Sequence, residues 1–229
     1  LIIRKETKSC LESIKNRIGN AIKIQFVYQD LEQFTNNIEI DYIREKPWGT
    51  AYALLCCKDI CTNPFVVINA DDFYGNSSFE NAIDFFKNEK KSHLIIPYYL
   101  QNTLSKNGKV NRGICEIENN LLISIEEKIG LTKDNTEGEN PPVSMNFWGF
   151  QTSIFTFIQQ LFIDFLKCHE NKGDEFLLGD VVSYIINQRI ENFEVIQSEQ
   201  QWHGITYKED KAHTHNALCK LQYPTNLWS

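Results

Sequence analysis

The chain has 229 residues, 42% of them hydrophobic and 12% aromatic, enough to bury a full core without disulfide or metal staples. A formal net charge of -7 opposes a broad phosphate-binding surface and argues against nucleic acid as a partner, while leaving room for one local basic pocket. No apolar run reaches the roughly 18 residues of a membrane span, and no signal-peptide pattern is present.

Leu1-Ile2-Ile3 opens the chain inside an apolar run and reads as the tail of a strand. Leu11, Ile14 and Ile18 recur at helical spacing over 7–19, Gly19 stops that helix, and Ile22 to Tyr28 alternates as a strand does. Thr50 to Asp59 reads as a helix. It carries Cys56 and Cys57, with Cys61 just after it, three of seven cysteines; with no paired C-x2-C knuckles they read as reduced helix thiols of a cytoplasmic protein rather than a zinc site or a disulfide framework. Phe65-Val66-Val67-Ile68 is the continuous run of a strand buried on both faces. Ser78 can cap a helix carrying Ala82, Ile83, Phe85 and Phe86, and Leu94-Ile95-Ile96 gives the next strand.

Val110 to Ile117 and Leu121 to Glu127 form a hairpin around Glu118-Asn119-Asn120, and residues 130–142 make a polar loop. Val143 to Phe150 is a strand. Helices at 153–168 and 175–187, strands at 193–197 and near 203–207, and a helix from about 210 complete the chain. The alternation predicts an α/β fold: a Rossmann-like, mostly parallel sheet with crossover helices and an added antiparallel hairpin region.

Asn69-Ala70-Asp71-Asp72-Phe73-Tyr74-Gly75 follows the buried run directly, and open parallel sheets bind ligands at the carboxyl ends of their strands. Carboxylates there suit magnesium, which is usually held by one or two of them plus substrate phosphates. The plain alternative is a turn cap and a solvated loop acid. Ahead of the helix at 50, Lys46-Pro47-Trp48-Gly49-Thr50-Ala51 combines a cation, a glycine that permits close approach and a hydroxyl that can cap; alone it is an ordinary loop-to-helix junction. P-loop, G-x-G-x-x-G, H-E-x-x-H and G-x-S-x-G patterns are absent.

In order and spacing these pieces resemble the sugar-phosphate nucleotidyltransferases, the nucleotide-sugar pyrophosphorylases. The resemblance implies the nucleotide-diphospho-sugar transferase type of fold and a magnesium-dependent joining of a nucleoside triphosphate, with UTP preferred, to a sugar 1-phosphate, releasing pyrophosphate. It assigns Lys46, Gly49, Thr50 and Asp72 to the nucleotide, and Asp71 to magnesium and catalysis. Lys128, from Glu126-Glu127-Lys128, falls to the sugar phosphate as a catalytic residue. Gly113 of Asn111-Arg112-Gly113-Ile114, Glu127, and Asn146 of Ser144-Met145-Asn146-Phe147-Trp148 fall to the sugar. Structural readings stand beside these: Gly113 relieving a bulge, Glu127 and Lys128 a solvated strand end, Asn146 satisfying a backbone group.

The chain departs from the resemblance twice. The glycine-rich segment with which the family begins is not seen, so 1–229 reads as a single catalytic domain without its first strand, glycine-rich loop and helix. At Trp202-His203-Gly204-Ile205-Thr206-Tyr207 the second metal ligand is missing, leaving Thr206, Asp210 or water to serve. A homo-oligomer is compatible with this reading, as is a phosphorylated alcohol such as choline phosphate in place of the sugar. A non-catalytic nucleotide-sugar-binding regulatory module and a metal-dependent glycosyltransferase are the rival functions.

Overall fold

The computed structural model describes residues 1–19, 22–35, 44, 46–168 and 173–221. Among the described residues the chain divides into two compact units: Leu1–Asn63 with Thr152–Tyr184, and Pro64–Gln151 with 185–221.

The first unit contains a parallel pair, β1 (Ile2–Ile3) with β2 (Val27–Tyr28), and the helices α1 (Lys8–Ile18), α2 (Thr50–Leu55) and α4 (Ile154–Cys168), with the part of α5 (Leu178–Asn187) up to Tyr184. The alternating stretch from Ile22 yields only the two-residue β2. In α4 the buried residues Ile154, Phe155, Ile158 and Phe162 form one apolar stripe, as the helical repeat demands. That stripe packs on α2. The Tyr52 and Phe162 ring centroids lie 4.6 Å apart, and Trp48 meets Phe162 edge-on at 5.6 Å.

The second unit is built on an eight-stranded sheet. Its strands are β3 (Phe65–Val67), β4 (His93–Ile95), β5 (Tyr98–Tyr99), β6 (Val110–Glu118), β7 (Leu121–Leu131), β8 (Pro142–Ser144), β9 (Trp148–Phe150) and β10 (Phe193–Val195). They lie in the order β3-β9-β4-β10-β7-β6-β8-β5. The expectation of a mostly parallel sheet is corrected here: among the described residues only β4 and β10 run parallel in this sheet, and every other neighbouring pair is antiparallel. Local hydrophobic pattern carries no strand direction, and β9 enters antiparallel between β3 and β4.

Three local expectations also change. Val143 to Phe150 is two strands, because Asn146 turns the chain with φ +60°, a left-handed conformation that asparagine tolerates better than most residues. Ser78 does not cap its helix; α3 (Asn76–Lys87) begins after Gly75, and Ser78 is a buried member of the stripe Ser78, Ala82, Phe85. Near 203–207 only a single bridge forms, His203 with Phe73. The last helix, α6 (Asp210–Lys220), starts where the sequence places it. The core joins Tyr74, Ala82, Phe85, Leu94, Tyr98, Val143, Met145, Phe147 and Trp202.

Candidate functional site

In the second unit the chain leaves β3 at Val67 and turns through Asn69 to Tyr74. Asp71 is exposed there and has no hydrogen-bond or ion-pair partner among the described residues. Asp72 is held. Asn69 Nδ2 donates to its Oδ2 at 2.8 Å, and the Tyr74 hydroxyl lies 3.2 Å from the same oxygen. That hydroxyl accepts the Asn69 N–H at 3.2 Å and donates to the Met145 carbonyl at 2.8 Å. Tyr74 therefore ties the acidic turn to the residue beside Asn146.

The segment 202–204 closes over this turn. Phe73 and His203 exchange backbone hydrogen bonds of 2.8 and 3.1 Å, which brings Trp202 and Gly204 against Asp72. A Cβ on Gly204 would stand 2.2 Å from the Trp202 ring and 2.6 Å from Asp72 Oδ1, so glycine is required by the close approach. The Arg112 guanidinium sits 5.3 Å from the centre of the Trp202 ring. It is fixed by Nε to Thr103 Oγ1 at 3.1 Å, Nη2 to Thr103 O at 2.5 Å and Nη1 to Asn111 O at 2.8 Å.

Burial, and then the neighbouring charge of Asp71, push the Asp72 carboxyl above the usual aspartate value; the hydrogen bonds from Asn69 and Tyr74 oppose this. The Trp202 indole N–H favours the charged carboxylate without reaching hydrogen-bond geometry. Burial likewise depresses the Arg112 pKa, and the charge of Asp72 counters it.

Strand register collects the sugar-assigned residues. Gly113 on β6 is directly opposite Glu127 on β7 and Ser144 on β8, and Asn146 follows Ser144 by two residues. Cross-strand partners share a face. Lys128 pairs with Arg112 and so projects from the other face of the strand than Glu127. Residues Glu126 to Ile129 are exposed on both faces, and β10 pairs with β7 only at Leu121. The outer edge of β7 at 126–129 thus has no neighbouring strand among the described residues, and Glu127 and Lys128 can both reach a group lying along it. A Cβ at Gly113 would meet Ile125 Cγ2 at 2.8 Å.

Asp210 is placed differently from a free ligand. Its Oδ1 accepts Ser105 Oγ at 2.8 Å and Asn107 Nδ2 at 2.7 Å, and its Oδ2 accepts the Tyr207 N–H at 2.8 Å. Burial acts to raise its pKa, but these donors prevail and hold it below the usual value. Thr206 is exposed. Among the described residues no three His, Cys, Asp or Glu side chains converge on a metal position. Asp71 offers a single exposed carboxylate, a hard oxygen donor.

In the first unit, the residues assigned to the nucleotide make structural contacts. Gly49 has φ +118°, and a Cβ there would lie 2.4 Å from the Phe176 carbonyl oxygen. Phe176 N donates to Trp48 O at 2.5 Å, and Ala51 N donates to Phe176 O at 3.1 Å. Thr50 caps a helix, but a distant one: its Oγ1 accepts the N–H of Leu178, the first residue of α5, at 2.9 Å. Lys46 pairs with Glu175 at 2.8 Å. Arg44, buried, donates to the carbonyls of Lys46, Pro47 and Asp174 and stacks on Trp48 at 4.0 Å.

Arg112, Trp202, Asn69, Tyr74 and Arg44 are the contributors that sequence reasoning did not single out. The signal available was the cation beside Gly113 and the tyrosine two residues after Asp72, which alternation places together with it.

No protein-family model matches the chain, and no curated protein matches it. Solved structures do. A Bacillus anthracis protein assigned as a glucose-1-phosphate thymidylyltransferase superposes with TM-score 0.67 at 16% identity, over 99% of this chain and 78% of that one. The inositol-1-phosphate CTP transferase of T. maritima gives 0.61 at 11% identity, over 98% and 77%. The CTP:phosphocholine cytidylyltransferase of Streptococcus pneumoniae gives 0.56 at 13%, over 92% and 74%. The chain has the nucleotide-diphospho-sugar transferase fold, in common with these nucleotidyltransferases.

Proposed function

We propose that the protein is a nucleotidyltransferase that joins a nucleoside triphosphate to a sugar 1-phosphate or another phosphorylated alcohol and releases pyrophosphate. The observation that carries this reading is the exposed Asp71 at the carboxyl end of β3, without a partner among the described residues, beside an Asp72 that is half-buried and clamped. A carboxylate free to bind a metal next to one that cannot move is a preorganised arrangement.

A phosphate monoester is a competent nucleophile at neutral pH, so the reaction needs alignment and charge neutralisation rather than a general base. Asp71 would hold magnesium, which supplies charge neutralisation at the phosphates when bound. Asp72, fixed by Asn69 and Tyr74, positions Asp71. Lys128 takes the phosphate of the acceptor at the open edge of β7, and Gly113, Glu127 and Asn146 take its hydroxyls. Asp210 serves as a clasp for the chain around it, and water completes the metal sphere in its place. UTP as the nucleotide rests on the resemblance of Gly49-Thr50-Ala51 alone, since Gly49 packs on Phe176 and Thr50 accepts from Leu178.

The test is pyrophosphate release with magnesium over a panel of nucleoside triphosphates and phosphorylated acceptors. Release with at least one pair, falling about 100-fold or more in Asp71→Asn, is the expected result. Equal rates for wild type and Asp71→Asn would refute the assignment, and no release with any pair would refute the activity.

A further inference from the structure

A cavity of about 650 Å³ opens in the second unit among residues 101–107, residues 201–206 and the start of α6, a volume in the range of small-molecule sites. Asp71, Gly113, Glu127, Lys128 and Asn146 do not line it. Its walls are pinned to one another: Asp210 of α6 accepts from Ser105, Asn107 and Tyr207, and Gln201 Nε2 donates to Asn102 O at 2.5 Å. The cavity is therefore preformed and does not depend on a ligand to assemble it.

The lining is chemically mixed. Lys106 and Lys133 are exposed and have no ion-pair partner among the described residues. The same lining offers Glu209, Thr206 and Thr214, which accept from hydroxyls; the charge of Asp210 is already met by three donors. Such a lining suits a molecule that carries both a phosphate and hydroxyls better than it suits bare phosphate. Trp202 forms part of the wall, and its ring is also in contact with the Arg112 guanidinium and packed against Gly204 beside Asp72.

We propose that this cavity is a second ligand site, distinct from the acceptor site at β6 and β7, that binds a sugar phosphate through Lys106 and Lys133 and acts on the acidic turn through Trp202. The site is argued from the cavity alone and stands whether or not the chain turns over nucleotide.

Titration calorimetry on the full chain with glucose 6-phosphate, glucose 1-phosphate and inorganic phosphate tests it, using wild type, Lys106→Ala/Lys133→Ala and Lys128→Ala. Glucose 6-phosphate is expected to bind wild type and Lys128→Ala alike, to weaken about 10-fold or more in the double variant, as loss of charge-assisted hydrogen bonds implies, and to bind more tightly than inorganic phosphate. Absence of saturable sugar-phosphate binding to wild type overturns the proposal. So does a loss greater in Lys128→Ala than in the double variant, which would locate the only binding at the β7 edge. The Asp71 reading fails or survives separately, in pyrophosphate release.

Discussion

Gly49→Ala measures how far the loop before α2 is a structural joint. At φ +118° an alanine carries backbone strain of about 1–3 kcal/mol. Its Cβ would also stand 2.4 Å from the Phe176 carbonyl oxygen, an atom of the main chain that cannot rotate away. Relief requires the 174–178 segment to move, which loosens the Ala51 to Phe176 hydrogen bond of 3.1 Å, worth about 1 kcal/mol net. The sum is a loss of about 3 kcal/mol, or a fall in Tm of about 6–12 °C for a chain of this size. Gly138→Ala is the control: Gly138 also has positive φ, +81°, but nothing lies within 4 Å of its Cβ position, so it bears strain alone, about 1–2 kcal/mol. Urea titration followed by circular dichroism compares the two. Equal losses, or a Gly49→Ala loss below about 0.5 kcal/mol, would refute the argument that main-chain contact, rather than a nucleobase, fixes glycine at this position.

Tyr74→Phe removes the hydroxyl that serves Asn69 N, Met145 O and Asp72, and unfolding in urea should show a loss of about 1–3 kcal/mol with the Asp72 pKa moving further up by carboxyl NMR. Asp210→Ala should lose about 2 kcal/mol at neutral pH. Because Asp210 has a folded pKa below its ordinary value of 3.8, its contribution is fully present above that value and disappears as pH falls through the folded pKa; the wild-type and variant stability curves should converge in acid, and a constant gap down to that range would contradict it. Thiol labelling at pH 8 followed by mass spectrometry should modify exposed Cys10, Cys168 and Cys219 first. Burial pushes Cys56 and Cys57 up to about 11 and Cys115 up to about 12, which leaves little thiolate to react.

What was legible in the sequence follows from the range over which each signal acts. Helix α4 and the hairpin of β6 and β7 were readable because their periodicity is local: a stripe at Ile154, Ile158 and Phe162, and two alternating runs around Glu118-Asn119-Asn120. The placement of Asp71 was readable because an apolar run followed by acids is a strand end by composition alone. Parallel or antiparallel pairing was not, since β9 reads the same in either direction and its place between β3 and β4 is decided by packing. The break at Asn146 was missed for a similar reason: Val143 to Phe150 keeps its hydrophobic pattern through a single left-handed residue.

The difference between Asp71 and Asp72 shows where local reading ends. As neighbours in sequence they are equivalent, and only the distant segments distinguish them. Trp202 and Gly204 crowd Asp72, while Asn69 and Tyr74 engage its Oδ2. Asp72→Asn with its carbonyl oxygen at the Oδ2 position would keep both the Asn69 and the Tyr74 donors but put its NH2 at the crowded Oδ1 position against Gly204 and remove the charge that Trp202 favours, whereas Asp71→Asn would disturb no contact among the described residues. A stability loss in Asp72→Asn without one in Asp71→Asn is thus the structural signature of the division of labour, and an activity loss in Asp71→Asn without destabilisation is its chemical counterpart. If both substitutions destabilised the chain equally, the exposed acid would be a structural residue and the metal-binding assignment would lose its basis.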